Sequence, residues 1–340
     1  MNLNKYRAIL RRFQAKRVVV LGDMMLDEYV SGESWRISRE APVLILRHQA
    51  TRLLPGGGAN PVSNIHSLGG RALPLGVVGS DLMGEALLGI FRAKGLDTSG
   101  LVREKGRPTG VKTRVLAGGV NTAKQQVIRI DRVSEEPVRR ATEEALLQAL
   151  QRRLKGADGL IVSDYGCGLV TERVLSFLNG LRRRHPGLVV CVDSRYRLMD
   201  YRGVTVVTPN ETEAAPAAGF EEYREGLLPQ IGARLLSTTG ARMALVTQGS
   251  KGMTLFQPGL PSRHLPVCGS TEIVDVNGAG DSVAATMTLA LAAGAEPHEA
   301  MALANAAGGV AVMRSGPASV TRAEILGALE AGPALEEKKR

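Results

Sequence analysis

The chain has 340 residues, 44% hydrophobic and 22% charged, with a mean hydropathy of −0.02; it can bury a sizeable core, which excludes a small cross-linked scaffold and a disordered chain. No run approaches the ~20 apolar residues of a membrane span, the N-terminal MNLNKYRAILRRFQAKRVVVLG is charged where a leader peptide needs an apolar run, and Cys167, Cys191 and Cys268 are too scattered for a disulfide framework or a zinc site. A formal charge of +10 and a pI near 9.8 suit a solvated basic surface, a nucleic-acid binder or an enzyme of phosphorylated substrates, and 4% aromatics argue against base stacking. A cytoplasmic protein that binds neither nucleic acid nor membrane is expected.

Apolar β-rich runs alternate with helical patterns along the chain. Arg17–Gly22 (RVVVLG) reads as a buried strand, Asn60–Leu68 as a helix with Pro61 in its first turn, Ala72–Val78 as a strand and Leu82–Ala93 as a helix. Helix Thr142–Leu154 leads into strand Gly159–Ser163, and helix Thr171–Arg183 into strand Leu188–Asp193. Within that helix the run Leu181–His185 places cations at a C-terminus, where the macrodipole favours them. Strands Val204–Thr208 and Ala241–Thr247 flank a helix around Leu227–Ser237, and two Ala-rich helices follow, Ala279–Ala293 and His298–Met313. This alternation predicts an α/β sandwich with a largely parallel central sheet.

Two stretches break the rhythm. Residues 29–50 contain Val43–Leu46 but no helix, and 110–131 contain Val111–Leu116 and Gln126–Ile130 around a Gly118-Gly119 turn. Both read as extra strands forming a small β lid inserted into a core of residues 1–28, 51–109 and 132–340. The tail Ala334–Arg340 reads as frayed.

Two glycine-rich turns carry the chemistry. Val274-Asp275-Val276-Asn277-Gly278-Ala279-Gly280-Asp281-Ser282 runs directly into a helix. Its amides suit an anion, and Asp281 is placed either to take a proton from a hydroxyl or to cap the helix. Pro55-Gly56-Gly57-Gly58-Ala59-Asn60 also precedes a helix; it lets backbone approach a ligand, or is a turn capped by Asn60. Neither is a Walker A loop, since no GK[ST] follows, nor a dinucleotide fingerprint.

Together these turns resemble the two signatures of the ribokinase-like (PfkB) carbohydrate kinases. The resemblance runs from about Arg17 to Leu329 and includes Gly22–Asp27, Thr208–Glu213, Thr247–Gly252 and Ala304–Gly308. Within that family the chain is similar to the D-glycero-β-D-manno-heptose 7-phosphate kinases, in GDMMLDEY (Gly22–Tyr29), RISREAPV (Arg36–Val43), Lys112–Leu116, QQVIRID (Gln125–Asp131), Ser163-Asp164-Tyr165 and Tyr201-Arg202-Gly203.

The resemblance implies a ribokinase-like fold and ATP-dependent phosphorylation of the anomeric hydroxyl of a heptose 7-phosphate. Asp281 would be the general base, with the amides of Gly278, Ala279, Gly280 and Asp281 as the anion hole. Asp27, Gly57, Gly58 and Asn60 would hold the sugar, with Lys112 and Arg114 nearby. Asn210 and Glu213 match an NxxE element that organises Mg²⁺ through water, although an N-capping Asn accounts for the same spacing. Thr247, Gly249, Gly252, Asn305 and Arg195 would line the nucleotide site, and Asp275 with Gly316 a loop that binds a monovalent cation, K⁺. Relatives pair their lids in a homodimer, and where they join the kinase to a nucleotidyltransferase this chain would leave that step to a separate enzyme. Trp35 in the lid is either a dimer contact or a cap on the sugar site.

Four departures stand out. Asn277 replaces the family's threonine, Cys167 a lysine of the relatives' SDYxKG, Asp193-Ser194-Arg195 their DPK, and Arg39 a proline. Cys167 and Asn277 leave open a non-catalytic binding relative, and the lid residues argue against, without excluding, another sugar kinase of this fold acting on fructose 1-phosphate, ribose or 2-keto-3-deoxygluconate.

Overall fold

The computed structural model describes residues 3–119, 122, 124–268, 274–314, 316–317 and 319–332. The expected frayed tail, 334–340, lies outside them. After helix α1 (Leu3–Arg12) come strands β1 (Arg17–Gly22), β2 (Met24–Ile37) and β3 (Leu44–Gly57). There follow α2 (Ala59–Ser67), β4 (Arg71–Gly79), α3 (Leu82–Ala93), β5 (Leu101–Glu104), β6 (Gly110–Gly118), β7 (Gln125–Arg132), α4 (Arg140–Leu154) and β8 (Gly159–Asp164). The chain continues through α5 (Glu172–Asn179), α6 (Leu181–Arg184), β9 (Val189–Ser194), β10 (Val206–Val207), α7 (Glu211–Ala217), α8 (Leu228–Thr239) and β11 (Met243–Thr247). It closes with β12 (Met253–Phe256), β13 (Arg263–Leu265), α9 (Ala279–Ala292), α10 (Pro297–Ala311) and α11 (Arg322–Ala331).

Nine strands form one sheet in the order β13-β12-β11-β10-β9-β8-β1-β4-β5, parallel except at β11–β12 and β12–β13. Near-continuous apolar strands are what a sheet covered on both faces requires. Alternate residues of one strand enter different cores: Val18 and Val20 pack with α1, α2, α9 and α10, whereas Val19 and Leu21 pack with α4, α5 and α8. The result is the three-layer ribokinase-like α/β sandwich expected from the sequence.

A second, four-stranded sheet has the order β3-β2-β6-β7. Its strands reach further than periodicity suggested, because β2 begins at Met24, one residue after β1 ends, and β3 runs to Gly57. Register shifts at Ser31/Gly32 and Ser34/Arg36 mark bulges in the long β2–β3 pair. Among the described residues no helix is long and apolar enough to cross a membrane. The segment expected as one helix over 171–183 divides at Gly180, and the strand expected over 204–208 shortens to two residues.

Candidate active site

Parallel strands β1, β8, β9, β10 and β11 end on one side of the large sheet, the side where open α/β sheets place ligands. A polar cleft of about 300 Å³ opens there, with Asp27, Lys112, Tyr165, Asp193, Arg195, Asn210 and Asp281 in its wall. Helix α9 enters it N-terminus first.

Asp281 lies in the first turn of α9 and is not its cap; Gly278 occupies that position at φ +81°. A side chain at Gly278 would strike the Asn60 amide as well as demand that left-handed backbone, so glycine is required. The Asp281 carboxylate accepts from Asn60 Nδ2 at 2.7 Å and from the Tyr165 hydroxyl at 3.4 Å. Burial, with the Asp27 charge, pushes its pKa up to about 7 against the pull of the Asn60 hydrogen bond. A carboxylate there takes a proton near neutral pH, as a general base must. The first helical hydrogen bond runs from Ser282 to Gly278, which leaves the Gly280 and Asp281 amides without helical partners at the positive end of the dipole.

Asn60, expected to cap α2 or to touch the sugar, is not the cap, which is Gly58. Asn60 lies inside α2, is 1% exposed, and its amide is committed to Asp281 and to Asn64. Gly58 is likewise beneath the surface, where a Cβ would come within 2.8 Å of the Gly22 backbone; it lets the two chain segments touch. Gly57 and Asp27 do line the cleft. Asp27 is buried and ion-paired with the buried Arg114, whose other nitrogen reaches Asn277 Oδ1 at 3.5 Å. Asn277 thus bonds through its amide where the family's threonine offers a hydroxyl.

Lys112, Arg129 and Arg195 converge on the cleft. The Lys112 ammonium lies 4.8 Å from the centre of the Tyr165 ring. Burial and the facing Arg195 charge, with Arg129 adding to them, hold its pKa below the ordinary lysine value. Arg129 is anchored to Asp131 at 2.9 Å, whereas Lys112 and Arg195 form no ion pair among the described residues. Like charges held together in this way are stabilised by an anion between them.

Asn210 caps α7 in a capping box: its side chain accepts from Glu213 N and the Glu213 carboxylate accepts from Asn210 N. Both still line the cleft beside Asp193. Burial and the charges of Glu213, Asp281 and Asp164 drive the Asp193 pKa well above the usual carboxylate range. Among the described residues no three His, Cys, Asp or Glu side chains form a ready metal cage. A cation here would relieve the crowded carboxylates, and Mg²⁺ takes one or two carboxylates plus nucleotide phosphates.

A second cavity of about 300 Å³ adjoins the first, sharing Asn210, Thr247, Val276 and Gly280. It is lined further by Gly249, Gly252, Ala279 and Asn305, so the expected nucleotide residues meet, except that Arg195 faces the polar cleft. The Asn305 amide donates to Pro266 O at 2.7 Å. Asp275 accepts from Gly316 N and Asn277 N, both at 2.9 Å, which draws the two predicted cation-loop residues together. A larger, apolar cavity of about 530 Å³ lies beside Tyr6, His298 and Leu329 and is lined by none of the cleft's carboxylates or glycine turns; the chemistry belongs to the smaller clefts. Asp193, Arg129 and the role of Tyr165 were missed in the sequence. The first two sit inside segments already singled out, DSR and QQVIRID, but nothing in one strand reveals what faces it.

A glycine turn feeding a helix N-terminus, an aspartate beside it and an adjoining second cavity define a phosphoryl-transfer enzyme. The chain belongs to the pfkB family of carbohydrate kinases, whose model matches residues 15–323, and it is an ATP-dependent sugar kinase; that family uses Mg²⁺ with the nucleotide. It is 38% identical over 328 residues to the bifunctional protein HldE of Desulfatibacillum aliphaticivorans and 39% identical over 331 residues to that of Trichlorobacter lovleyi. These alignments cover 96% and 97% of the chain but 66% of each relative, so the chain spans about two thirds of their length. Its fold is that of Escherichia coli phosphofructokinase-2 (TM-score 0.74, 19% identity, 93% of this chain and 98% of that one). It is also that of Arabidopsis thaliana ribokinase (TM-score 0.69, 20% identity, 93% and 98%).

Proposed function

We propose that the enzyme transfers the γ-phosphoryl group of ATP to the anomeric hydroxyl of D-glycero-β-D-manno-heptose 7-phosphate, giving the 1,7-bisphosphate. The observation that carries a phosphorylated acceptor is the convergence of Lys112, Arg129 and Arg195 on the cleft that holds Asp281. Sugar hydroxyls alone do not repay the cost of facing three cations toward one another. The likeness to the HldE proteins and the RISREAPV segment favour a heptose over other sugars.

In this reading Asp281 removes the proton of the 1-hydroxyl as its oxygen bonds to the γ-phosphorus and the bond to the ADP oxygen breaks. The Gly280 and Asp281 amides receive the charge on the phosphoryl oxygens in transit. Asp27, oriented by Arg114, and the Gly57 turn hold the acceptor. Asn210 and Glu213 would hold Mg²⁺ beside the nucleotide, where it would supply charge neutralisation for the phosphates. Asp275 and Gly316 form the turn where K⁺ would bind. The second sheet acts as a lid that excludes water, and its exposed Trp35, Ile37, Ile128 and Ile130 are covered by a second copy in a homodimer. ATP supply places the enzyme in the cytoplasm, and its product is the kind of sugar 1-phosphate that a nucleotidyltransferase consumes.

An ADP-release assay tests this with heptose 7-phosphate, the unphosphorylated heptose, fructose 1-phosphate, ribose and 2-keto-3-deoxygluconate. The first is expected to be turned over best; equal rates with the unphosphorylated heptose would sink the sugar-phosphate assignment.

A further inference from the structure

The loop after β8 is built with more care than a strand-to-helix connection needs. Two buried carboxylates hold three successive amides: Asp23 Oδ2 accepts from Tyr165 N at 2.8 Å and Cys167 N at 3.2 Å, and Asp164 Oδ1 accepts from Gly166 N at 3.1 Å. The other Asp164 oxygen accepts from Ser194 Oγ at 2.8 Å and Tyr201 Oη at 2.9 Å. Asp23 is 6% exposed and Asp164 4%. Such an arrangement stabilises one conformation of residues 165–167, and only the Tyr165 side chain reaches from it to Asp281.

The Tyr165 ring has two polar neighbours. Its hydroxyl stands 3.4 Å from Asp281 Oδ1, while Asn60 Nδ2 holds the other oxygen, Oδ2, at 2.7 Å. Its face carries the Lys112 ammonium at 4.8 Å. Burial and the Asp281 and Asp193 charges keep the phenol well above its usual pKa, so it stays a donor. Asp27, Asp193, Glu213, Lys112 and Arg195 are further charged groups facing this pair.

We propose that Tyr165 is a positioning residue for phosphoryl transfer: its hydroxyl, opposite Asn60, fixes the Asp281 carboxylate, and its ring delivers the Lys112 ammonium to the same end of the cleft. The proposal rests on Asp281 being the base. It also answers the absence of a loop lysine at Cys167, because a strand lysine is brought against the same loop.

Tyr165→Phe keeps the ring and removes the hydroxyl; Tyr165→Leu removes both. With MgATP and heptose 7-phosphate, Phe is expected to lower kcat about 3–10-fold and to move the acid limb of the pH profile upward by about half a unit, since a donor to the ionised form is lost. KM for the sugar phosphate should hold in Phe and rise about threefold in Leu, which loses the cation–π contact. A ¹³C titration of the aspartate carboxyls in the free enzyme, with the Asp281 signal assigned from Asp281→Asn, reads the same upward shift without any acceptor. Thermal melts confirm that each variant folds. An unmoved Asp281 titration and unchanged kcat in Tyr165→Phe overturn the proposal while Asp281→Asn stays inactive. Turnover retained in Asp281→Asn overturns the base assignment itself, and the proposal with it.

Discussion

Sequence spacing alone leaves Asp281 two readings, a base or a helix cap. Its place in the first turn of α9, with Gly278 as the cap, excludes the second, and its burial against Asn60 suits the first. With a pKa near 7 the free enzyme holds a proton on Asp281 in mildly acid solution. The rate should therefore fall as pH drops below about 7, following the ionised fraction of Asp281. Asp281→Asn is expected to reduce kcat by about a thousandfold while ATP binding, followed by calorimetry, changes little; retained turnover would remove the residue from the base role. Arg129→Ala, at an exposed position, should raise KM for a phosphorylated acceptor about tenfold and leave KM for ATP unchanged. Equal effects on both would place that cation on the nucleotide instead. Asp281, Asp27 and Lys112 were legible because they stand in motifs. Tyr165 and Arg129 were not assigned because their neighbours come from other strands of the fold.

At the level of elements, α2 and α9 form one device. The Gly22–Gly58 approach brings α2 against the end of β1, and the open space at Gly278 lets the Asn60 amide pass through to Asp281. Gly278→Ala combines a disallowed backbone with a displaced Asn60, and should cost about 1–3 kcal/mol of stability in a melt and most of the activity. Activity equal to wild type would show the turn to be slack. The long strands and helices were legible from apolar periodicity, β1 and α3 with their observed bounds. Helices α1 and α11 were not, because charge interrupts their sequence pattern although Ile9, Leu10, Ile325 and Leu329 reach the core. Strand β10 is two residues long because only Val206 and Val207 bridge β9 and β11. The full span of β2 and β3 was hidden for a different reason: half of each lies on an open sheet, where alternation of polar and apolar residues is weakly enforced.

For the molecule as a whole, the site costs stability. Asp23 and Asp281 have folded pKa values of about 7 against an ordinary 3.8. Between those values the folded chain holds protons that the unfolded chain has released, so their contribution is full below about pH 4 and is lost as pH rises through 7. Carboxylates with lowered values, such as Asp81 and Asp97, act in the opposite sense but only at more acid pH. The melting temperature of the free enzyme should therefore fall between about pH 4 and 7 and level off above it, and Asp281→Asn should raise it at pH 8 and flatten the slope. A slope unchanged in that variant would show that Asp281 ionises as freely folded as unfolded. The same scale governs assembly: Ile128→Glu on the open face of the second sheet should convert a dimer to monomers in sedimentation, and a wild-type monomer would remove that proposal.

Trp35 is the only tryptophan of the chain, and it lies half exposed on β2 between Arg36, 4.9 Å from its ring, and Arg47, 4.2 Å away. The protein is in this respect already labelled. Its indole emission arises wholly from the second sheet, with two cations stacked on the fluorophore and water on its edge. Any rearrangement of that sheet, by ligand or by a second copy, alters this setting without a foreign dye, and stopped-flow emission can time it against product release.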